Sequence, residues 1–334
     1  VAEAAGVSAS TASKVVRGVP GVSAQLRARV TEAVAGLDYR PHPAGRALST
    51  GAAATGGPVT LAVPTLMSAH HRLLAGHLIR AVGAAGLRTA LVQTHGSSEV
   101  EAGLLAASAQ RGSPLLLVAL HPHRSAPSGS GTPTVLLADL DAARHLDRVA
   151  VDSAGAAEVC AAHLLHRGRR RLALVGAGGR GALAGAALRE RGFLAATRRH
   201  GVEVPAARRC PLPRWTAHHG AAATTALLRE DPAVDGIVAA DDQTAVGVLH
   251  ALRALGRRVP DDVAVTGVDD DDAARHSAPA LTSVALPVPA MADAAVLLLT
   301  ERLAGFDGPA RVQRFAGRLV VRVSSGGARA RSAP

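Results

Sequence analysis

Between Gly6 and Arg17 the chain reads Gly-Val-Ser-Ala-Ser-Thr-Ala-Ser-Lys-Val-Val-Arg, which divides into two faces when wound as a helix. Ala12, Val15 and Val16 fall on one face at helical spacing, while Ala9, Ser10, Ser13, Lys14 and Arg17 fall on the other. Short hydroxyl groups and cations on one helical face suit a DNA major groove, where cations and small side chains meet base edges and phosphates. Ser8 stands where a side-chain oxygen would cap such a helix. Ala2, Gly6, Ala12 and Val15 supply the small or apolar residues that a close helix crossing needs. A further helix is expected after Ser23, with Leu26, Val30, Ala33, Val34 and Leu37 as its apolar stripe. The chemistry read here is nucleic-acid binding by a three-helix unit.

Other residue groups suggest different chemistry. Gly176-Ala177-Gly178-Gly179-Arg180-Gly181 has the Gly-x-Gly-x-x-Gly spacing of a dinucleotide site. It follows a strand in mid-chain, and Arg198, Arg199 and His200 occupy the region where the ribose-binding acid would fall, so the loop reads as a tight turn. Asp269 to Asp272 with His276 offer oxygens to a hard cation, but four consecutive carboxylates cannot all face one ion. The pairs His70-His71 and His218-His219 lack zinc spacing. No strand-turn-helix elbow around a serine appears, so neither catalysis, a cofactor nor a metal is expected.

The elements that must position these groups are legible in outline. A chain of 334 residues with 48% hydrophobic residues can bury more than one core. The net charge of +11 permits a polyanionic partner, although arginine is spread throughout. Lys14, the only lysine, stands on the proposed reading face. Cys160 and Cys210 are too few for a disulfide framework, no stretch resembles a signal peptide, and no apolar run approaches the roughly 18 residues of a membrane span, so a soluble, cytoplasmic protein is expected.

Strands are expected at residues 59–63, 88–93, 115–119, 134–137, 172–175, 236–239, 263–268 and 283–285. Helices are expected at 70–86, 99–111, 154–168, 184–201, 217–230 and 244–255. That alternation predicts an α/β architecture with parallel sheets. Arg40 to Gly51 reads as a short segment, helical from Pro43 to Ser49 when docked, with Leu48 as an apolar wedge for a minor groove.

On these residues, Val1 to Gly51 resembles the DNA-binding headpiece and hinge of the LacI/GalR family of transcriptional regulators. The resemblance assigns base reading to Ala9, Ser10 and Lys14, backbone contacts to Ser8, Thr11, Ser13 and Arg17, and the wedge to Leu48. Gly45 within the hinge departs from the pattern. Because Val1 falls inside the first helix of the pattern, a headpiece truncated at its N-terminus is expected. The resemblance continues through His163 to Gly176, Pro260 to Asp270 and Ala278 to Val284. It implies a periplasmic-binding-protein-like core of two subdomains with an effector between them. It places Arg189 and Asp269 as polar anchors, Asp139 and Asp241 beside them, and Trp215 as an apolar platform. Asp241 stands where many relatives have Asn, and His70-His71 stand where apolar groups usually line the cleft.

The expected organisation is a headpiece at 1–40, a hinge at 41–51, a core at 52–325 and a flexible tail at 326–334. Within the core, subdomain 1 is expected at about 57–150 and 240–285, and subdomain 2 at about 151–239 and 286–325. The expected function is repression at a near-palindromic double-stranded operator by a homodimer controlled by a small, sugar-like effector. A solute-binding protein of the same core fold and an effector-independent regulator are the alternatives.

Overall fold

The computed structural model describes residues 4–8, 11, 12, 15, 23–36, 57–121, 123, 133–138, 145–178 and 184–326. They fall into two compact units, one comprising 1–56 with 84–86 and the other the remainder.

In the first unit Ser8 begins a helical turn as the sequence suggests. Its Oγ accepts the Thr11 amide at 3.1 Å, and its carbonyl accepts the Ala12 amide at 3.0 Å. Helix α1 spans Ala24–Gly36, and Ser23 caps it by accepting the Leu26 amide at 3.4 Å. Ala5, Ala12, Val15 and Val30 form a small buried cluster, with Val7 and Ala33 packed against it. Among the described residues this cluster is made of alanine and valine. Ala2 and Val16 lie outside the described residues.

The second unit holds two six-stranded sheets. The first has strands β1 (Val59–Val63), β2 (Thr89–Gln93), β3 (Leu115–Val118), β4 (Thr134–Leu137), β5 (Asp147–Val151) and β11 (Val312–Phe315), in the order β11-β5-β4-β3-β1-β2. All its pairings are parallel. The second has β6 (Leu172–Ala177), β7 (Arg209–Pro211), β8 (Gly236–Ala239), β9 (Ala264–Asp269), β10 (Thr282–Ala285) and β12 (Arg318–Val320), in the order β12-β10-β9-β8-β6-β7. Its β10–β12 pairing alone is antiparallel. The helices are α2 (Ala69–Ala84), α3 (Ser98–Arg111), α4 (Ser153–His166), α5 (Ala184–Arg199), α6 (Ala217–Glu230), α7 (Asp242–Ala254), the short α8 (Asp272–His276) and α9 (Val288–Leu303). Strands β3, β4 and β8 are buried along their whole length, as strands covered by helices on both faces must be.

The strand pairings divide the core differently from the sequence expectation. Residues 264–285 belong to the second sheet because β9 pairs with β8 and β10 with β9. Helix α9 packs on β3, β4 and β5, and β11 extends the first sheet through β5, so these elements of 286–325 belong to the first lobe. The chain therefore passes between the sheets at 151–153, 285–288 and 315–318. The first and third passages are tied by the Asp152 amide donating to the Phe315 carbonyl at 3.0 Å.

Candidate effector site and headpiece

The carboxyl ends of parallel strands leave backbone and side chains unpaired, and ligands of open α/β sheets collect there. In the second lobe this edge carries Gly176 near the end of β6, Trp215 after β7, Asp241 after β8 and Asp269 ending β9. Arg189 reaches the same place from α5. Its guanidinium carbon lies 4.5 Å from the Trp215 ring centroid, a cation–π distance. Gly176 adopts φ +101°, and a Cβ there would stand 2.3 Å from the Ala240 Cβ and 3.3 Å from Trp215 Nε1. Only glycine fits beneath the indole.

Arg189 is 8% exposed, and neither its Nε nor its Nη1 has a hydrogen-bond partner among the described residues. Buried polar atoms are nearly always paired, and unpaired donors on a buried cation are costly. Asp241 caps α7, its Oδ1 accepting the Thr244 amide at 2.8 Å. From the first lobe, His70 on α2 brings Nδ1 to 3.4 Å from Asp269 Oδ1. Burial pushes the His70 imidazole down to about 4, and the Arg189 charge adds to that effect against the opposing pull of Asp241 and Asp271. Burial, and then the neighbouring His70, lower His71 to about 3. Burial lifts Asp269 well above the ordinary carboxylate range; Arg189 opposes the shift, and Asp241 and Asp271 add to it. At neutral pH the two histidines are thus uncharged, and the site offers imidazole nitrogens, carboxylates and one guanidinium to a hydroxyl-rich guest.

Four of the five expected effector residues, Arg189, Trp215, Asp241 and Asp269, come together at this edge, and Asp139 lies outside the described residues. The sequence reading missed Asp242, which is completely buried behind the site. Its Oδ1 accepts from Ser283 Oγ at 2.6 Å and its Oδ2 from the Asp271 amide at 3.0 Å. Burial, followed by the Asp269 charge, raises it well above the usual carboxylate range. Its signal was present in the sequence, as a second acid directly after a helix-capping Asp at the end of an apolar strand.

Of the glycine-rich run, Gly176 to Gly178 are described and Gly179 to Gly181 lie outside the described residues. The Gly178 amide, which would face an anion, donates to Glu190 Oε2 at 2.9 Å, and Glu190 is itself paired with Arg209 at 3.0 Å. Among the described residues no three metal-ligating side chains converge. In the first unit, Ser8 and Thr11 stand at the start of the expected reading helix. Their hydroxyls are 2.8 Å apart. Ala9, Ser10, Ser13, Lys14, Arg17 and Leu48 lie outside the described residues.

A helix-turn-helix unit in the same chain as a two-lobed parallel-sheet core with a polar site at the strand ends defines a DNA-binding regulator. Residues 1–42 match the model of the bacterial regulatory proteins of the lacI family, and residues 161–325 match the periplasmic binding protein-like domain. The chain is 34% identical over 316 residues to the HTH-type transcriptional regulator GntR of Pseudomonas aeruginosa, covering 91% of this chain and 88% of that protein. It is 32% identical over 324 residues to the regulator CelR of Thermobifida fusca, covering 91% of each. Among solved structures, a transcriptional regulator CelR–cellobiose complex superposes with a TM-score of 0.72 at 27% identity, over 97% of this chain and 98% of that one. The lac repressor dimer bound to operator and an anti-inducer shares the fold, with a TM-score of 0.72 at 22% identity over 97% of each chain. The chain belongs to the LacI family of bacterial regulatory proteins, and it is a DNA-binding transcriptional regulator.

Proposed function

We propose that this regulator is a cytoplasmic repressor whose hold on a near-palindromic operator is set by a small, hydroxyl-rich effector of the sugar class. The observation that carries the reading is Arg189, a buried guanidinium stacked on the only tryptophan, with its Nε and Nη1 unpaired among the described residues. A guest with vicinal hydroxyls would accept those N–H groups, donate to Asp241 and Asp269, and lay an apolar ring face on Trp215. Asp139 is proposed to join them. The cellobiose complex of the CelR relative supports a sugar as the guest.

Residues 1–40 are proposed as the headpiece and 41–51 as the hinge, with Ala9, Ser10 and Lys14 reading bases. Ser8, Thr11, Ser13 and Arg17 are proposed to hold phosphates, and Leu48 to wedge the minor groove. Leu73 and Ile79 on α2 and Leu91 on the edge strand β2 are exposed apolar groups, which supports pairing of two chains through the first lobe. Two headpieces would then meet half-sites about one helical turn apart. Among the described residues no helix is long and apolar enough to cross a membrane. The effector acts by its differential affinity for two relative orientations of the lobes.

Calorimetry against a panel of sugars and nucleosides beginning with cellobiose, paired with operator mobility shifts, tests the reading. At least one sugar is expected to bind and to change the shift, and Arg189→Ala to abolish that response while leaving operator affinity in place. An Arg189→Ala variant with an unchanged response overturns the pocket assignment.

A further inference from the structure

The turn that presents Asp269 is strained. Asp269 adopts φ +117° and Asp270 φ +54°, two successive positive values at residues that carry a Cβ. Left-handed backbone at such residues is unfavourable and persists only where the surroundings impose it. The surroundings here are specific. The Asp270 amide donates to Ser283 Oγ at 3.0 Å, Ser283 Oγ in turn donates to Asp242 Oδ1 at 2.6 Å, and Asp242 Oδ2 accepts the Asp271 amide at 3.0 Å. A fully buried carboxylate thus gathers two consecutive amides of the turn, one directly and one through a hydroxyl. Asp270 is clamped from the other side by Arg322, at 2.5 Å, and by Arg275, at 3.4 Å. Room for the Asp242 carboxylate comes from Gly267 on β9, where a Cβ would stand 2.3 Å from Asp242 Oδ1.

We infer that Asp242 is a positioning residue for the effector: through Ser283 and the Asp271 amide it holds the 269–271 turn in its left-handed form, and so aims the Asp269 carboxylate across to His70 and the guest. Asp242 itself lies behind the turn, fully buried, and meets no ligand. The effector part of this inference rests on the proposed function above; the holding of the turn does not. Arg322 follows β12, just past the third passage between the lobes. The same turn therefore links the position of Asp269 to a segment whose path depends on how the lobes are set.

The test uses the full chain. Asp242→Ala removes both acceptors, and Ser283→Ala removes the relay to Asp270 while leaving Asp242 and the fold in place. In crystal structures of both variants, Asp269 is expected to relax to negative φ and to draw away from His70. A turn that keeps both positive φ values in both variants overturns the inference. In solution, Trp215 fluorescence titrated with cellobiose should report affinity lowered by on the order of tenfold in each variant, the loss of one charged hydrogen bond. Full affinity in Ser283→Ala, despite a relaxed turn, also counts against a positioning role. If wild type ignores cellobiose while the variant turns relax, the sugar reading is what fails and the role of Asp242 in holding the turn stands.

Discussion

His70 and Asp269 meet at 3.4 Å although they hang from different sheets, one on the helix after β1 and the other at the end of β9. The contact is therefore a bridge across the site rather than a brace within one lobe. It also has a pH signature. With His70 lowered to about 4 in the fold, and an ordinary imidazole near 6.5, the unfolded chain binds the extra proton throughout the interval between them. Stability from the buried neutral ring is present above pH 6.5 and is lost as pH falls toward 4. The raised carboxylates Asp242 and Asp269 act in the opposite sense. They do so in both chains when wild type is compared with His70→Asn. The variant should show a pH slope of unfolding free energy smaller by up to about 1.4 kcal/mol per pH unit between pH 6 and 5. Urea unfolding at several pH values measures it, and parallel slopes would show that His70 is not held neutral.

Arg189 presents a conflict between stability and use. Its Nε and Nη1, unpaired among the described residues, burden the ligand-free fold, whereas an apolar side chain of similar volume does not. Arg189→Met should therefore melt higher than wild type without ligand, by an amount equivalent to about 1–3 kcal/mol. It should also lose the sugar response. Calorimetric melts of both chains with and without cellobiose decide this. A destabilised ligand-free variant would mean that the stacking on Trp215 outweighs the cost of the unpaired N–H groups.

Asp147 anchors the first lobe at the start of β5. It is buried, accepts from Arg302 at 2.8 and 3.0 Å and from Arg311 at 3.0 Å, and takes the Arg311 amide at 2.8 Å. Burial alone would raise its pKa, yet the bonds from Arg302 and then Arg311 outweigh it and hold the group below its ordinary 3.8. Its contribution is present above pH 3.8 and lost as pH falls through the lowered value. Asp147→Ala leaves two cations facing an empty buried position and should cost about 3–5 kcal/mol. The change is far from the effector edge, so calorimetry on the folded fraction should find sugar affinity retained. A loss below 1 kcal/mol in urea unfolding would refute the anchoring role.

The difference between what could and could not be read from the chain follows the physics of each element. Strands such as Leu115–Val118 and Gly236–Ala239 announce themselves because burial on both faces demands unbroken apolar runs. Strand β5 does not, since it opens with the charged pair Asp147 and Arg148, and Asp147 meets its partners Arg302 and Arg311 from far along the chain. Helix α9 is apolar on nearly every side, with Met291, Ala292, Ala295, Leu298 and Leu299 all buried, so no amphipathic period marks it. The division into lobes was misread because it depends on which sheet β9, β10 and β11 join, and pairing partners leave no local trace. Arg189, Trp215, Asp241 and Asp269 are pointed to by family resemblance, and no local pattern marks them. Asp242 was missed because the sequence marks it only as a second acid after a capping Asp, and the turn it holds shows only in the φ angles and buried amides.

In the headpiece, Ser8 and Lys14 should separate folding from reading. Ser8 Oγ accepts the Thr11 amide at the start of the second helix, so Ser8→Ala removes an N-cap worth about 1 kcal/mol in a unit whose buried cluster is only alanine and valine. That loss lowers the folded fraction of the headpiece and weakens binding to every DNA sequence together. Lys14→Ala removes a proposed base contact and leaves the cap intact. It should cost about 1–3 kcal/mol against the preferred operator and relax preference at one base pair in each half-site. Mobility shifts on operators randomised one base pair at a time, run beside thermal melts, distinguish the two. If Lys14→Ala weakens all sequences equally, that residue meets phosphate instead of a base. If Ser8→Ala alters base preference without lowering the melt, the serine itself reaches into the groove.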